Sequence, residues 1–283
     1  MKNILLPTDF SDNAWNAIFY ALKLFGKVPC HFYILNAYDP NPTNSLGSKT
    51  SVRVGMLLKS MAESSVQEMK KIERYFEEHY GNEMHAIDYI SARGNLVEVV
   101  KNTQRKQRID TIIMGTQGAT GAKQIFLGST TVQLMKSVRN CPLIAVPEKY
   151  NFQGLKQIVF PTDFTHFYER YELEPLLDMI SLWDAALHVF YIAQEFSLSE
   201  AQKLNKKMLE ERFKGINFKY HEVALKDNIS RGIHQFAKTQ NAEMVALMHY
   251  KHTFMEKLTQ EAVVKNVGFH TEVPLLVMPN MVF

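Results

Sequence analysis

The stretch "MGTQGATGAKQIFLGSTT", Met114 to Thr131, places glycines at 115, 118 and 121, then Gly128 followed at once by Ser129 and Thr130. Glycine has no β-carbon and tolerates positive φ, so Gly115, Gly118 and Gly128 would let backbone come close to a phosphate. Ser129 and Thr130 would add hydroxyl donors. Val132, Met135 and Val138 share one helical face, and Thr130 and Gln133 have capping-box spacing, so a helix is expected to begin here. The amides and dipole of its first turn would offer an anion site. The plainer chemistry is that Gly115 ends a strand, Gly118 and Gly121 serve a turn, and Ser129 or Thr130 is a helix cap. Spacing alone leaves both readings open. Two other phosphate-binding patterns are excluded: there is no G-x-x-x-x-G-K-[ST], and no G-x-G-x-x-G after the first strand.

Such a loop needs a strand to launch it and a helix to receive it. Short β-branched and aromatic runs bounded by Pro, Gly and Asp (Ile4 to Leu6, His31 to Leu35, His85 to Ile90, Thr111 to Met114, Leu143 to Val146) are each expected as a buried strand. Between the first two, "NAWNAIFYALKLFG" sets Ala14, Ile18, Ala21, Leu22 and Phe25 on one face and ends at Gly26, as an amphipathic helix does. Strand alternating with helix implies a five-stranded, doubly wound α/β domain with a parallel sheet. The glycine loop would then leave the carboxyl end of the fourth strand.

This unit occurs twice. "ILLPTDF" from Ile4 returns as "IVFPTDF" from Ile158, "HFYILNAYD" from His31 as "HVFYIAQEF" from His188, "DTIIMG" from Asp110 as "EMVALM" from Glu243, and "CPLIAVP" from Cys141 as "VPLLVMP" from Val273. A chain of 283 residues suits two domains, here 1–149 and 153–283. The first carries an insertion rich in Pro, Asn, Ser and Gly, Asp39 to Leu58, expected as a loop; a lid over a ligand and a tolerated surface insertion fit it equally.

Hydrophobic residues make up 46% and charged residues 22% of the chain, and no apolar run approaches the length that spans a bilayer. The start "MKNILLPTDF" lacks the apolar core of a secretory signal, so a cytoplasmic protein without membrane attachment is expected. The net charge of +3 is mild and the lysines of "KLNKKMLEERFK" are interleaved with glutamate and apolar residues as on a solvated helix face, so nucleic-acid binding is not expected. Cys30 and Cys141 have no partner at ligand spacing and read as small buried hydrophobes; His249 and His252 likewise lack a ligand set, and Lys123 and Arg93 read as solvated loop charges.

The first half resembles a universal stress protein domain, on "ILLPTDFSDNAWNAI", a second strand ending "LNAYD", and G-x-x-G-x9-G-[ST] at Gly115, Gly118, Gly128 and Ser129. The likeness runs through the whole chain as a tandem pair, and in that family the glycine motif marks members that bind ATP, with or without Mg. The resemblance implies a site with Pro7, Thr8 and Asp9 near the ribose and adenine, the Ala37 backbone at the adenine edge, and Met114 and Gly115 beside the nucleoside. Gly118, Gly128, Ser129 and Thr130 would hold the phosphates. Asp9, at a strand's carboxyl end, can accept from ribose hydroxyls; a turn that caps the next helix is its other reading.

The second half sets Met248, Lys251, Gln260 and Glu261 against Gly115, Gly118, Gly128 and Ser129, so one nucleotide per chain is expected, with a degenerate, structural or regulatory C-terminal domain. No poised general base is legible, so hydrolysis would be slow at most. A nucleotide-free scaffold of the same family and a nucleotide-dependent transferase are the alternatives. The apolar final strands "LIAVP" and "LLVMP" would be exposed sheet edges, and the family likeness implies that the two halves pair through them; homo-oligomerisation is left open.

Overall fold

The computed structural model describes residues 1–39, 51–116, 127–138, 140–193, 197–224, 229–249 and 272–279. The first half runs β1 (Lys2–Pro7), α1 (Asp12–Leu24), β2 (Cys30–Tyr38), α2 (Ser51–His79), β3 (His85–Arg93), α3 (Leu96–Gln107), β4 (Thr111–Gly115), α4 (Ser129–Ser137) and β5 (Leu143–Val146). The second runs β6 (Gln157–Thr162), α5 (Arg170–Trp183), β7 (Ala186–Ala193), α6 (Glu200–Arg212), β8 (Phe218–Ala224), α7 (Ile229–Thr239), β9 (Met244–His249) and β10 (Leu275–Pro279).

All strands lie in one sheet, in the order β3-β2-β1-β4-β5-β10-β9-β6-β7-β8. Within each half every pairing is parallel. The halves meet where β5 runs antiparallel to β10, with Leu276 opposite Ile144 and Leu275 opposite Ala145. Strands with both faces covered read as continuous apolar runs, and β4 and β5 are buried throughout. Successive β1 residues serve opposite layers: Ile4 and Leu6 join the core under α1 and α5, and Leu5 the core beneath α3 and α4. Further contacts tie the halves together: Trp183 donates from Nε1 to the Leu24 carbonyl at 3.2 Å, Lys2 pairs with Asp178 at 2.7 Å, and Phe152 packs edge-on between Tyr20 and Trp183.

Helix α1 forms as its pattern requires. Ser11 caps it by accepting from the Ala14 amide, Ala14, Ile18, Ala21 and Leu22 are buried, and it ends just before Gly26.

Three expectations need correction. Strand β3 is not buried; it is the outer strand of its half, and residues such as Ala86 and Asp88 face solvent. Residues 51–58 of the insertion belong to the 29-residue α2 rather than to a loop, while 40–50 lie outside the described residues. The histidines of the second strands do not correspond, either. Pro7 lies opposite Leu35 and Pro161 opposite Phe190, which makes Tyr33, two residues beyond His31, the counterpart of His188.

Candidate functional site

Strands β2 and β3 lie to one side of β1, and β4 and β5 to the other. A crevice opens at the carboxyl ends of strands where the order reverses in this way, and here it is a cavity of about 310 Å³. Pro7, Thr8 and Asp9 line it from β1, Asn36 and Ala37 from β2, and Met114 and Gly115 from β4. Gly128, Ser129, Thr130 and Thr131 close it from the start of α4, with Ala14 and Leu96 at its sides. Of the ten residues named from sequence, nine are therefore brought to one cavity; Gly118 lies outside the described residues.

The backbone of Ala37 meets the cavity for a reason of register. In a parallel pair a residue presents its N–H and C=O to the same neighbour. Leu35 faces β1, since its carbonyl accepts from Thr8 N at 2.8 Å, and Tyr38 faces β3, since its carbonyl accepts from Gly94 N. Ala37 thus faces the β1 side, where β1 has already ended at Pro7. A donor and an acceptor lie side by side at the cavity with no strand opposite them.

Asp9 takes part in the local turn. Its Oδ1 accepts from the Ser11 amide at 3.1 Å and the Ser11 hydroxyl at 2.6 Å, and Ser11 in turn caps α1. Phe10 between them has φ 66°, in the left-handed region, held by a bond from its amide to the Thr8 hydroxyl. The second half repeats this turn around Phe164, with Asp163 accepting from Thr165 in the same way. The turn-forming reading of Asp9 is therefore real, and it coexists with exposure of the carboxylate at the cavity.

The glycines have other reasons than positive φ, which neither Gly115 nor Gly128 adopts. A β-carbon on Gly115 would lie 2.5 Å from the Oδ1 of buried Asn13, so α1 packs directly on that backbone. Gly128 is itself the N-cap of α4, with φ −58° and ψ 149° and no side chain to satisfy the amides beyond it. The expected capping box at Thr130 and Gln133 does not form, because the helix starts two residues earlier than that box requires. Thr131 instead donates from Oγ1 to the Gly115 carbonyl at 3.1 Å, and Gly128 N donates to the Thr116 carbonyl, so the helix start is tied to the end of β4.

The first turn of α4 holds no acidic residue, so the helix itself does nothing to offset its positive end beside the cavity. Among the described lining residues Asp9 is the one charged side chain. The lining thus combines apolar Pro7, Leu96 and Met114 with Ser129 and Thr130 in the first turn of α4. Elsewhere, burial raises the Cys30 thiol to about 11 and pushes Cys141 up as well, which keeps both neutral. No group of three His, Cys, Asp or Glu side chains among the described residues could hold a metal ion.

The model of the universal stress protein family matches residues 1–147, just over half of the chain. The chain belongs to the universal stress protein family. A universal stress protein of Methanocaldococcus jannaschii is 29% identical over 146 residues, covering 51% of this chain and 81% of that protein. Among solved structures, a universal stress protein from Archaeoglobus fulgidus matches with a TM-score of 0.67 at 18% identity and covers 98% of both chains. A functionally unknown protein from Pseudomonas aeruginosa matches with a TM-score of 0.60 at 16% identity, over 99% of this chain and 92% of the other. These two likenesses concern the fold and extend it over both halves of this universal stress protein.

Sequence reading of the site missed Asn36, Ala14, Leu96 and Thr131. Asn36 sat within the quoted "LNAYD", but nothing local marks its side chain as special. In the second half, Met248 occupies the register position of Gly115 and is buried, while Lys251, Gln260 and Glu261 lie outside the described residues. No helix among the described residues is long and apolar enough to cross a membrane.

Proposed function

We propose that this universal stress protein binds ATP, one molecule per chain, in the cavity between the end of β1 and the start of α4. The observation that carries this reading is the juxtaposition of an apolar, backbone-edged compartment with an uncapped helix start. A purine edge pairs naturally with an adjacent donor and acceptor such as those of Ala37, while its faces suit Pro7, Leu96 and Met114. Asp9 would accept from ribose hydroxyls, and phosphate oxygens suit the amides of Ser129 to Thr131 and the neighbouring hydroxyls. Gly118 would complete that phosphate site, and Mg would be carried by the nucleotide.

The same features favour binding over turnover. Asp9, the charged lining residue, is engaged with Ser11, and no cation or base among the described lining residues faces a scissile bond. The second half acts as a structural partner through β10, and the protein works in the cytoplasm. Denaturing the purified protein and identifying the released small molecules by mass spectrometry, followed by calorimetric titration of the stripped protein with ATP, tests the reading. ATP release or saturation near one equivalent is expected. Absence of both would leave the nucleotide-free scaffold reading, and two equivalents would defeat the assigned asymmetry.

A further inference from the structure

From the cavity wall at Asn36 runs a chain of hydrogen bonds that crosses three elements and is buried as far as Ser65. Asn36 Nδ2 donates to the Thr8 carbonyl at 2.8 Å, Ser65 Oγ of α2 lies 2.7 Å from Asn36 Oδ1, and Ser91 Oγ of β3 lies 2.7 Å from Ser65 Oγ. Asn36 and Ser65 are 8% and 3% exposed, so water does not substitute for these partners. The direction of the chain is fixed. An amide oxygen only accepts, so Ser65 must give its single proton to Asn36, and the Ser91 hydroxyl must then donate to Ser65. Turned the other way, the Asn36 amide would set its oxygen against the Thr8 carbonyl.

We propose that Asn36 is a positioning residue of the ligand site, and that Ser65 and Ser91 lock its amide so that it holds the Thr8–Asp9 segment at the cavity rim. The proposal rests on the nucleotide-binding reading for its effect on affinity, but the positioning itself does not depend on which ligand binds. Thr8 is held on its amide side by Leu35 and on its carbonyl side by Asn36, so the Asp9 that follows starts from a fixed point. The second half has the same Pro-Thr-Asp-Phe turn but carries Tyr191 at the register position of Asn36. There a Phe164–Tyr191 stack, with centroids 5.0 Å apart, replaces the polar chain. The polar chain therefore is not needed to form the turn; it accompanies the half in which the turn borders the described cavity.

The test uses the full chain and the variants Ser65→Ala and Asn36→Asp, with thermal melts to verify folding, hydrogen exchange over residues 8–14, and calorimetric ATP titration. Removing the Ser65 donor is expected to speed exchange of the Phe10 and Ser11 amides and to weaken ATP binding about tenfold, the scale of one buried hydrogen bond. Asn36→Asp adds a signature that lost packing would not give. Its ionised carboxylate would repel the Thr8 carbonyl at pH 8, whereas its protonated form could donate to it, so affinity relative to wild type should recover as pH falls to about 5.5, towards the ordinary carboxylate range. Should Asn36→Asp fail to fold, Ser91→Ala takes its place and is expected to act like a milder Ser65→Ala. Wild-type exchange at residues 8–14 in Ser65→Ala would overturn the proposal. If the wild-type protein binds no ATP, the function reading fails by itself, and the exchange result still decides the positioning role.

Discussion

Asn13 of α1 lies so close over Gly115 at the end of β4 that a β-carbon there would stand 2.5 Å from its Oδ1 and 2.7 Å from its Cγ. Both residues are buried, so the amide cannot swing into solvent to make room. Gly115→Ala should therefore cost about 1–3 kcal/mol, the range for overpacking a well-filled site. Urea denaturation of Gly115→Ala, Asn13→Ala and the double variant forms a cycle in which the two substitutions should be far from additive. Additive losses would mean that the contact does not limit residue 115.

Gly128 differs, because its backbone conformation suits any residue. Gly128→Asp would place an acceptor at the N-cap, worth a few tenths of a kcal/mol over glycine, and a negative charge where the phosphates would bind. The melting temperature should hold or rise slightly while ATP binding is lost. A variant that folds normally and still binds ATP with wild-type affinity would refute the phosphate assignment.

His188 and His221 join β7 to β8 through a 3.0 Å Nδ1 to Nε2 contact, and His188 Nε2 donates to Gln157 Oε1 at 2.6 Å. Burial chiefly lowers both imidazoles below the ordinary 6.5, followed at His188 by His221 and then Lys219, and at His221 by Lys219. Below 6.5 the unfolded chain then binds protons that the native pair refuses, so stability is full above that pH and falls as pH drops through it. Urea midpoints at pH 7.5 and 5.5 should show a larger loss in the wild type than in a His188→Gln, His221→Asn variant. Equal losses would exclude the pair as the source.

The β5–β10 join buries Leu143, Ile144, Leu275 and Leu276 on both partners. Residues 1–149 expressed alone would expose β5 as an apolar edge, and an antiparallel pairing with a second copy is the simplest cover. Sedimentation should find this fragment as a dimer, and Ile144→Lys in it should give monomer. A monodisperse monomer without that substitution would count against the edge argument.

Much of this was legible because it is local or periodic. Apolar runs such as Leu143 to Val146 and the helical face of Ala14 to Leu22 need only neighbours in sequence to be recognised. The terminal apolar strands marked edges in need of cover, and the family likeness implied the β5–β10 join that covers them. What was not legible depends on register between distant segments. The Asn36–Ser65–Ser91 chain joins positions 29 and 26 residues apart. Asn13 meets Gly115 only because α1 crosses the end of β4. The histidine alignment failed since motif similarity ignores which strand residues lie opposite each other. The Thr130 capping box failed because spacing names candidate caps without choosing the turn at which a helix begins.

A dimer of identical chains would carry every substitution at its symmetric interface twice, so a change on one side could never be matched by a different change on the other. Here Leu143–Val146 and Leu275–Pro279 are separate stretches of one chain. Each side of the seam can mutate alone, and its two flanking pairs already differ, Ala145 opposite Leu275 but Leu143 opposite Val277. The same independence frees the second half from preserving a glycine at position 248. Heritable variation in this protein can thus tune the seam and the first-half cavity along separate lines, a freedom that a self-pairing chain does not have.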